Sequence, residues 1–184
     1  GVDITVYDSI CITQASKNGY IDIVKLLIDN GINIQVGNNK AIREACEEGQ
    51  NEAVRILLDN GADPTTLNNQ CIKVAVINNH LDVVNTLLEY TDDQKLRNNG
   101  LKYSYMWENW EALKILVNGG ADVNYNNGKA IINASRDGEY DIVKFLIDNG
   151  ADVTLKDNEA IIEAKRNNHP KIIKLLQRHG AVLD

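Results

Sequence analysis

The feature that most constrains this chain is its likeness to itself at a spacing of 30 residues. Shifted by that step, the sequence aligns Ala15, Ala45 and Ala75, then Ala134 and Ala164. Leu27, Leu57 and Leu87 recur as Leu116, Leu146 and Leu176, and Gly31 and Gly61 as Gly120, Gly150 and Gly180. A fixed period of this length marks a solenoid, in which each unit is too small for a core of its own and buries its apolar face against its neighbours. The clearest copy runs from Asn39 to Thr66 and reads as a short helix, a turn, a second helix and a helix-ending glycine. The expected fold is therefore all-α, six helix–turn–helix units covering 8–37, 38–67, 68–97, 98–126, 127–156 and 157–184, with short fingers between them.

Periodicity inside a unit supports this. Ile12, Ala15 and Ser16 form an apolar stripe at helical spacing, and Ile23, Val24, Leu27 and Ile28 form another on the second helix. Gly31 is placed to adopt the left-handed conformation that ends a helix. Asp8, Asn38, Asn68, Asn98, Asn127 and Asp157 share one position just before each first helix, where their side chains can cap free backbone N–H groups. Second helices begin with Asp22, Glu52, Asp82, Glu111 and Asp141, which suits the helix dipole. The basic residues three positions on read as a solvated outer face.

The unit, with its Asp-Asn-Gly-Ala-Asp ending and Gly-Tyr turn, resembles the ankyrin repeat. That repeat is usually 33 residues long and carries T-P-L-H-x-A on its first helix. The matching stretches here read KAIREA, QCIKVA, KAIINA and EAIIEA, so Thr-Pro is absent and the connection between units is shorter. The 30-residue, Asn- and Ile-rich form is similar to ankyrin proteins of large amoeba-infecting DNA viruses of the mimivirus type. The resemblance implies a monomeric α-solenoid in the cytoplasm that binds a protein through its concave face and fingers. It also implies two alternatives, the recognition arm of a larger ubiquitin-ligase or effector adaptor, or a structural virion component. Asn124 follows Gly-Ala-Asp-Val and so matches the position that asparaginyl hydroxylases modify in this family.

Two units depart from the pattern. Thr91 stands where others have the helix-ending glycine, and a β-branched residue is ill suited to positive φ, so that junction must end differently. The next unit has a spacing of 29, read as one residue lost from its inter-helix turn. This alignment puts Tyr105 at the alanine position, filling the opened space together with Trp110. It puts Trp107 beside Lys17, Glu47, Ile77, Arg136 and Arg166, at a mostly charged position. Either local distortion tucks Trp107 inward, or Val74, Ile77 and Trp107 form an apolar island on the concave face, of the kind that marks protein contacts. Tyr103, the acidic Glu44 and Glu47, and Arg136 complete the candidate partner-binding residues.

The ends differ as well. Residues 1–7 align with the segment that follows a helix pair, so a preceding unit is expected, and with it some exposure of Ile10 and Ile23. In the last unit Lys165 replaces a small or apolar residue and, with Lys171, Lys174 and Arg178, reads as a polar cap.

Chemistry of other kinds is not indicated. A net charge of −7 argues against nucleic-acid binding, which relies on Lys and Arg. No apolar run is long enough to span a membrane. Cys11, Cys46 and Cys71 read as buried thiols of a reducing compartment. His80 and His169 fall in turns, and no phosphate loop, nucleophile motif or metal-ligand spacing is present. The chain is read as a binding protein with no enzymatic activity, cofactor or metal.

Overall fold

A computed structural model describes residues 4–183, with side chains from Ser9 onward. Among these residues twelve helices form six helix–turn–helix pairs, and there is no strand. The pairs are α1 (Ile4–Lys17) with α2 (Ile21–Asp29), α3 (Val36–Glu47) with α4 (Asn51–Asp59), and α5 (Thr66–Ile77) with α6 (Leu81–Tyr90). They continue as α7 (Gln94–Met106) with α8 (Trp110–Asn118), α9 (Tyr125–Asp137) with α10 (Tyr140–Asp148), and α11 (Leu155–Arg166) with α12 (Pro170–Arg178). The chain divides into two compact units, residues 1–100 and 101–184, so that α7 contributes to both. The segment read as the tail of a preceding unit lies partly outside the described residues, and its remainder, from Ile4, is already part of α1.

The core repeats with the sequence. Ile12, Ile42, Ile72, Leu101, Ile131 and Ile161 are all at most 1% exposed, one from each first helix. Burying each contributes roughly 2 kcal/mol. The small residues beside them, such as Ala41, Ala45, Cys71, Ala75, Ala130 and Ala134, are fully buried and let neighbouring helices approach closely. Leu57, Leu87, Leu116, Leu146 and Leu176 anchor the second helices at 0% exposure.

The first pair is the exception. Ile10, Ile23 and Leu26 are exposed by 53%, 47% and 61%. The counterparts of Ile23 in later pairs, Ala53, Val83, Ala112, Ile142 and Ile172, are at most 4% exposed. Cys11 lies on this same open side and is exposed, which corrects its reading as a buried thiol; Cys46 and Cys71 are buried and free. Burial, and then contact with Cys71, pushes the Cys46 thiol well above its ordinary range, as expected of an unreactive core cysteine.

The fingers hold a second correction. Asn38, Asn68, Asn127 and Asp157 do not act as caps; Asn98 lies inside α7, and the side chain of Asp8 lies outside the described residues. At four junctions, three consecutive residues adopt left-handed φ/ψ: Gly37–Asn39, Leu67–Asn69, Asn126–Gly128 and Lys156–Asn158. A left-handed residue costs most L-amino acids roughly 1–2 kcal/mol, and Gly, Asn and Asp least. Of these twelve positions only Leu67 and Lys156 are of another type. Each left-handed turn closes with a backbone bond four residues back, for example Asn39 N to Gln35 O at 3.1 Å and Asn69 N to Thr65 O at 3.0 Å.

At several fingers a side chain then reaches the next finger. Asn39 Oδ1 accepts from Asp63 N at 2.9 Å, and Asn158 Oδ1 accepts from Val182 N at 3.0 Å. Within the fingers, Asp63 and Asp152 each accept from the backbone N–H and hydroxyl of the threonine two residues on. Those bonds hold the Asp152 carboxyl below its usual range.

The junction at Thr91 is built differently, as its sequence requires. Thr91 is extended (φ −146°, ψ 140°), and α6 runs to Tyr90. Asp93 Oδ1 accepts from Leu96 N at 3.0 Å, a side-chain cap that starts α7 directly, without a left-handed turn. Arg97 donates to the carbonyls of Thr91 and Asp92 and pairs with the Asp92 carboxylate at 3.0 Å, tying the extended residues down. Asp93 N is bound by Thr91 Oγ1, so Asn69 Oδ1, the counterpart of Asn39 Oδ1, is buried without a partner.

Candidate protein-binding surface

The missing residue belongs to this junction and not to the inter-helix turn of the fourth pair. In the other five pairs the N–H that follows the turn bonds to the alanine carbonyl: Tyr20 to Ala15, Gln50 to Ala45, His80 to Ala75, Glu139 to Ala134 and His169 to Ala164. In the fourth pair Asn109 N bonds to Ser104 O at 2.8 Å. Ser104, fully buried, is therefore the counterpart of the alanines, and Gly100-Leu101-Lys102-Tyr103-Ser104 matches Cys71-Ile72-Lys73-Val74-Ala75. This corrects the placement of Tyr105. It corresponds to Ser16, Cys46, Val76 and Ser135, all fully buried.

Tyr105 is buried at 3% exposure, and its hydroxyl accepts from Asn126 Nδ2 at 3.1 Å. Desolvation raises its pKa, with the Asn126 bond acting the other way. Trp110, at the start of α8, is half-buried.

The same one-residue shift moves Trp107 and Met106. Met106 takes the place held by Lys17, Glu47, Ile77, Arg136 and Arg166, and Trp107 lies in the turn beside α7, where other pairs have Asn18, Glu48, Asn78, Asp137 and Asn167. Met106 is 51% exposed and Trp107 49%. Tyr103, one turn back and half-buried, meets the Trp107 ring with centroids 5.8 Å apart and planes at 53°, and Lys102 Nζ lies 5.6 Å from the Tyr103 centroid. Tyr103, Met106 and Trp107 thus form one apolar patch of the second unit with a cation at its edge. Met106 was missed from sequence because the misplaced gap put it among buried positions.

Other residues expected at the site divide between the two units. In the second, Arg136 Nε donates to Asp137 Oδ1 at 2.7 Å and its Nη2 to Asp137 Oδ2 at 3.1 Å, which holds its exposed guanidinium. Asn124 is occupied on both sides, donating to Gly150 O at 3.1 Å and accepting from Asp152 N at 2.8 Å. In the first unit Val74 is buried at 8% exposure, which corrects its place in an exposed island. Its short branched side chain does not reach past the surrounding helices, whereas Gln14 at the same position is exposed. Ile77 is half-buried. Glu44 pairs with Lys17 at 3.0 Å, and Lys17 also pairs with Glu48 at 3.3 Å, which leaves Glu47 as the unpaired carboxylate of that cluster.

The turn histidines are staples. His80 Nε2 lies 3.0 Å from Glu47 O, and His169 Nε2 lies 3.0 Å from Arg136 O, each reaching one unit back. Their rings cover Gly49 and Gly138, where a Cβ would come within 2.5 Å of ring atoms. Among the described residues no group of three His, Cys, Asp or Glu side chains is placed to hold a metal ion. No described helix is long and apolar enough to cross a membrane.

Comparison with known proteins agrees with this architecture. The family model for ankyrin repeats (3 copies) matches residues 2–68 and 72–157. No curated protein matches the chain. Among solved structures, an ankyrin repeat domain from Acinetobacter baumannii AYE superposes with a TM-score of 0.79 at 21% identity, covering 93% of this chain and 98% of that one. The ankyrin repeat domain of Bcl-3, a member of the IkappaB protein family, gives 0.77 at 21%, covering 94% and 86%. That of human ASB11 gives 0.70 at 22%, covering 94% and 85%. At these identities the structures speak for the fold alone, while the family model spans most of the sequence. The chain belongs to the ankyrin-repeat family.

Proposed function

We propose that this chain binds a protein partner through the end of α7, with Trp107 as the anchor and Met106 and Tyr103 beside it. Ankyrin repeats are typically non-enzymatic scaffolds for protein–protein interaction. The observation that carries the specific site is the adjacent exposure of Met106 and Trp107, at positions that most other pairs fill with charged or amide side chains. Single exposed apolar residues are ordinary, but a Trp and a Met contiguous with a Tyr make the kind of cluster that concentrates binding energy. Arg136 on α9 flanks the patch, within electrostatic reach of Glu108. Ile77 and Glu47 are the remaining candidate contacts on the first unit.

The repeat length and Asn/Ile-rich composition extend the proposal to a viral protein of the giant-virus type, monomeric and acting in the host cytoplasm without nucleic acid. An adaptor's recognition arm or a virion component would use the same anchor. Asn124 is proposed in addition as a site of asparaginyl hydroxylation, to be checked by mass spectrometry after exposure to such an enzyme.

The test of the anchor is affinity capture with quantitative readout. Trp107→Ala should weaken partner binding by about 2 kcal/mol or more, roughly thirtyfold, while the protein stays folded. Unchanged binding by a folded Trp107→Ala protein overturns the site.

A further inference from the structure

Five of the six second helices carry an acid at the position where the sixth carries a lysine. In α10 the outward row is Asp141, Lys144 and Asp148, and Lys144 pairs with Asp148 at 2.6 Å. The same first position holds Asp22, Glu52, Asp82 and Glu111 in the earlier helices. In α12 the row is Lys171, Lys174 and Arg178. Both flanking acids have become cations, so the row changes from a net −1 in α10 to +3 in α12.

Helix stability does not explain this reversal. Lys171 sits in the first turn, where the helix dipole disfavours a cation. The three charges lie at i, i+3 and i+7 on one face, where like charges repel. None has an acidic partner among the described residues, whereas most other cations of this acidic protein do. Solvent exposure alone is met by charge of either sign, and although the dipole suits Arg178 in the last turn, it would have suited an acid at position 171.

The three cations also frame one groove. Tyr140 of α10, 38% exposed, and Leu175 of α12 line an open hollow of about 180 Å³ whose other walls are Lys171, Lys174 and Arg178. It continues past Tyr140 and Lys171 into a second hollow of about 240 Å³ that reaches His169 and Pro170. The groove thus combines an aromatic wall with a phenolic hydroxyl and three unneutralised cations spread along about 10 Å of helix.

We propose that this α10–α12 groove binds a carboxylate-rich segment of a partner protein, at a surface separate from the Trp107 patch. Charge complementarity selects the occupant. A short acidic segment meets the local triad within one Debye length, about 8–10 Å, where it outweighs the net −7 of the whole chain. A nucleic acid is a poorer match, because three cations neutralise few phosphates and the rest of a long polyanion meets a negatively charged protein.

The experiment is fluorescence anisotropy on the full chain with a labelled peptide of alternating glutamate and serine. The matched glutamine–serine peptide and a single-stranded oligothymidylate serve as comparisons, at low and physiological salt. The unmodified protein should bind the glutamate peptide, lose affinity as salt rises, and prefer it to both comparisons. Lys171→Glu with Arg178→Asp restores the acids of α10 and should weaken the peptide by about tenfold or more. The same variant should melt close to the parent, because Lys171→Glu improves the dipole term at the helix start, Arg178→Asp worsens it at the helix end, and the like-charge repulsion along the row is relieved; loss of binding is then not loss of fold. Equal binding by the variant, equal binding of the glutamine peptide, tighter binding of the oligonucleotide, or no peptide binding at low salt would overturn the proposal.

Discussion

The pair α5–α6 and the pair α7–α8 start from nearly the same plan and are built differently. In its first turn α5 passes through left-handed residues at Leu67–Asn69, and Ala75 and Val76 face inward. Before α7 the chain is one residue shorter, Asp93 caps the helix directly, and Ser104 and Tyr105 take the inward places. The α5 helix ends in Ile77 and Asn78; the corresponding end of α7 is Met106 and Trp107. Losing one residue at a finger therefore rebuilds the helix start while the packed stripe stays in register. The buried Ile/Leu and small-residue positions tolerate no slip, so the irregularity is confined to the junction. What changes is the side-chain choice at the two ends of the helix.

The largest expected effect breaks the inside–outside assignment. Tyr105→Ala removes a buried ring and leaves Asn126 Nδ2 without its acceptor, so chemical denaturation should show a loss of about 3–5 kcal/mol. A loss below 1 kcal/mol would place Tyr105 at the surface. Next comes a pair of changes at the junctions. Gly61 has φ +88°, so Gly61→Thr should cost about 2 kcal/mol or more, while Thr91→Ser, at an extended residue and keeping the hydroxyl that Asp93 N binds, should cost under about 1 kcal/mol. Equal costs would mean that the two junctions are not built differently.

A third change acts in the opposite direction. Glu108 has φ +54° at a turn position where Gly19, Gly49 and Gly138 stand in other pairs. Glu108→Gly should stabilise the protein by about 1 kcal/mol, read as a higher melting temperature. The smallest effect is one of pH. Thr154 holds the Asp152 carboxyl below its ordinary 3.8, so that bond contributes stability above the unfolded pKa and loses it as pH falls through the folded one. Thr154→Val removes the hydroxyl donor and keeps the backbone N–H donor, so it should lower stability slightly at neutral pH, where the carboxylate is charged, and flatten the acid limb of the stability curve in part.

The repeat architecture was legible because identical positions recur at a constant step, and alanine, leucine and glycine each have one physical reason to recur there. The junction at Thr91 was legible for the same reason, since a threonine cannot replace a left-handed glycine. Three features were not. An Asn before a helix is suited both to capping and to positive φ, and only the backbone at Asn38 and Asn68 distinguishes the two. The gap was misplaced because Tyr105 preserves the step of 30 from Ala75, although Gly100-Leu101 and Ser104 already matched Cys71-Ile72 and Ala75. Val74 looked exposed beside Gln14 and Glu44, but burial at that position depends on side-chain length, which alignment with polar residues conceals.

The central claim is that Tyr105 holds the second unit together while Trp107 is free to bind. Parallel melting and quantitative partner capture on Tyr105→Ala and Trp107→Ala tests it most directly. The account predicts that Tyr105→Ala lowers the melting temperature strongly, while Trp107→Ala changes stability by less than about 1 kcal/mol and weakens capture by roughly thirtyfold. A Trp107→Ala protein that melts early, beside a Tyr105→Ala protein that does not, would contradict it.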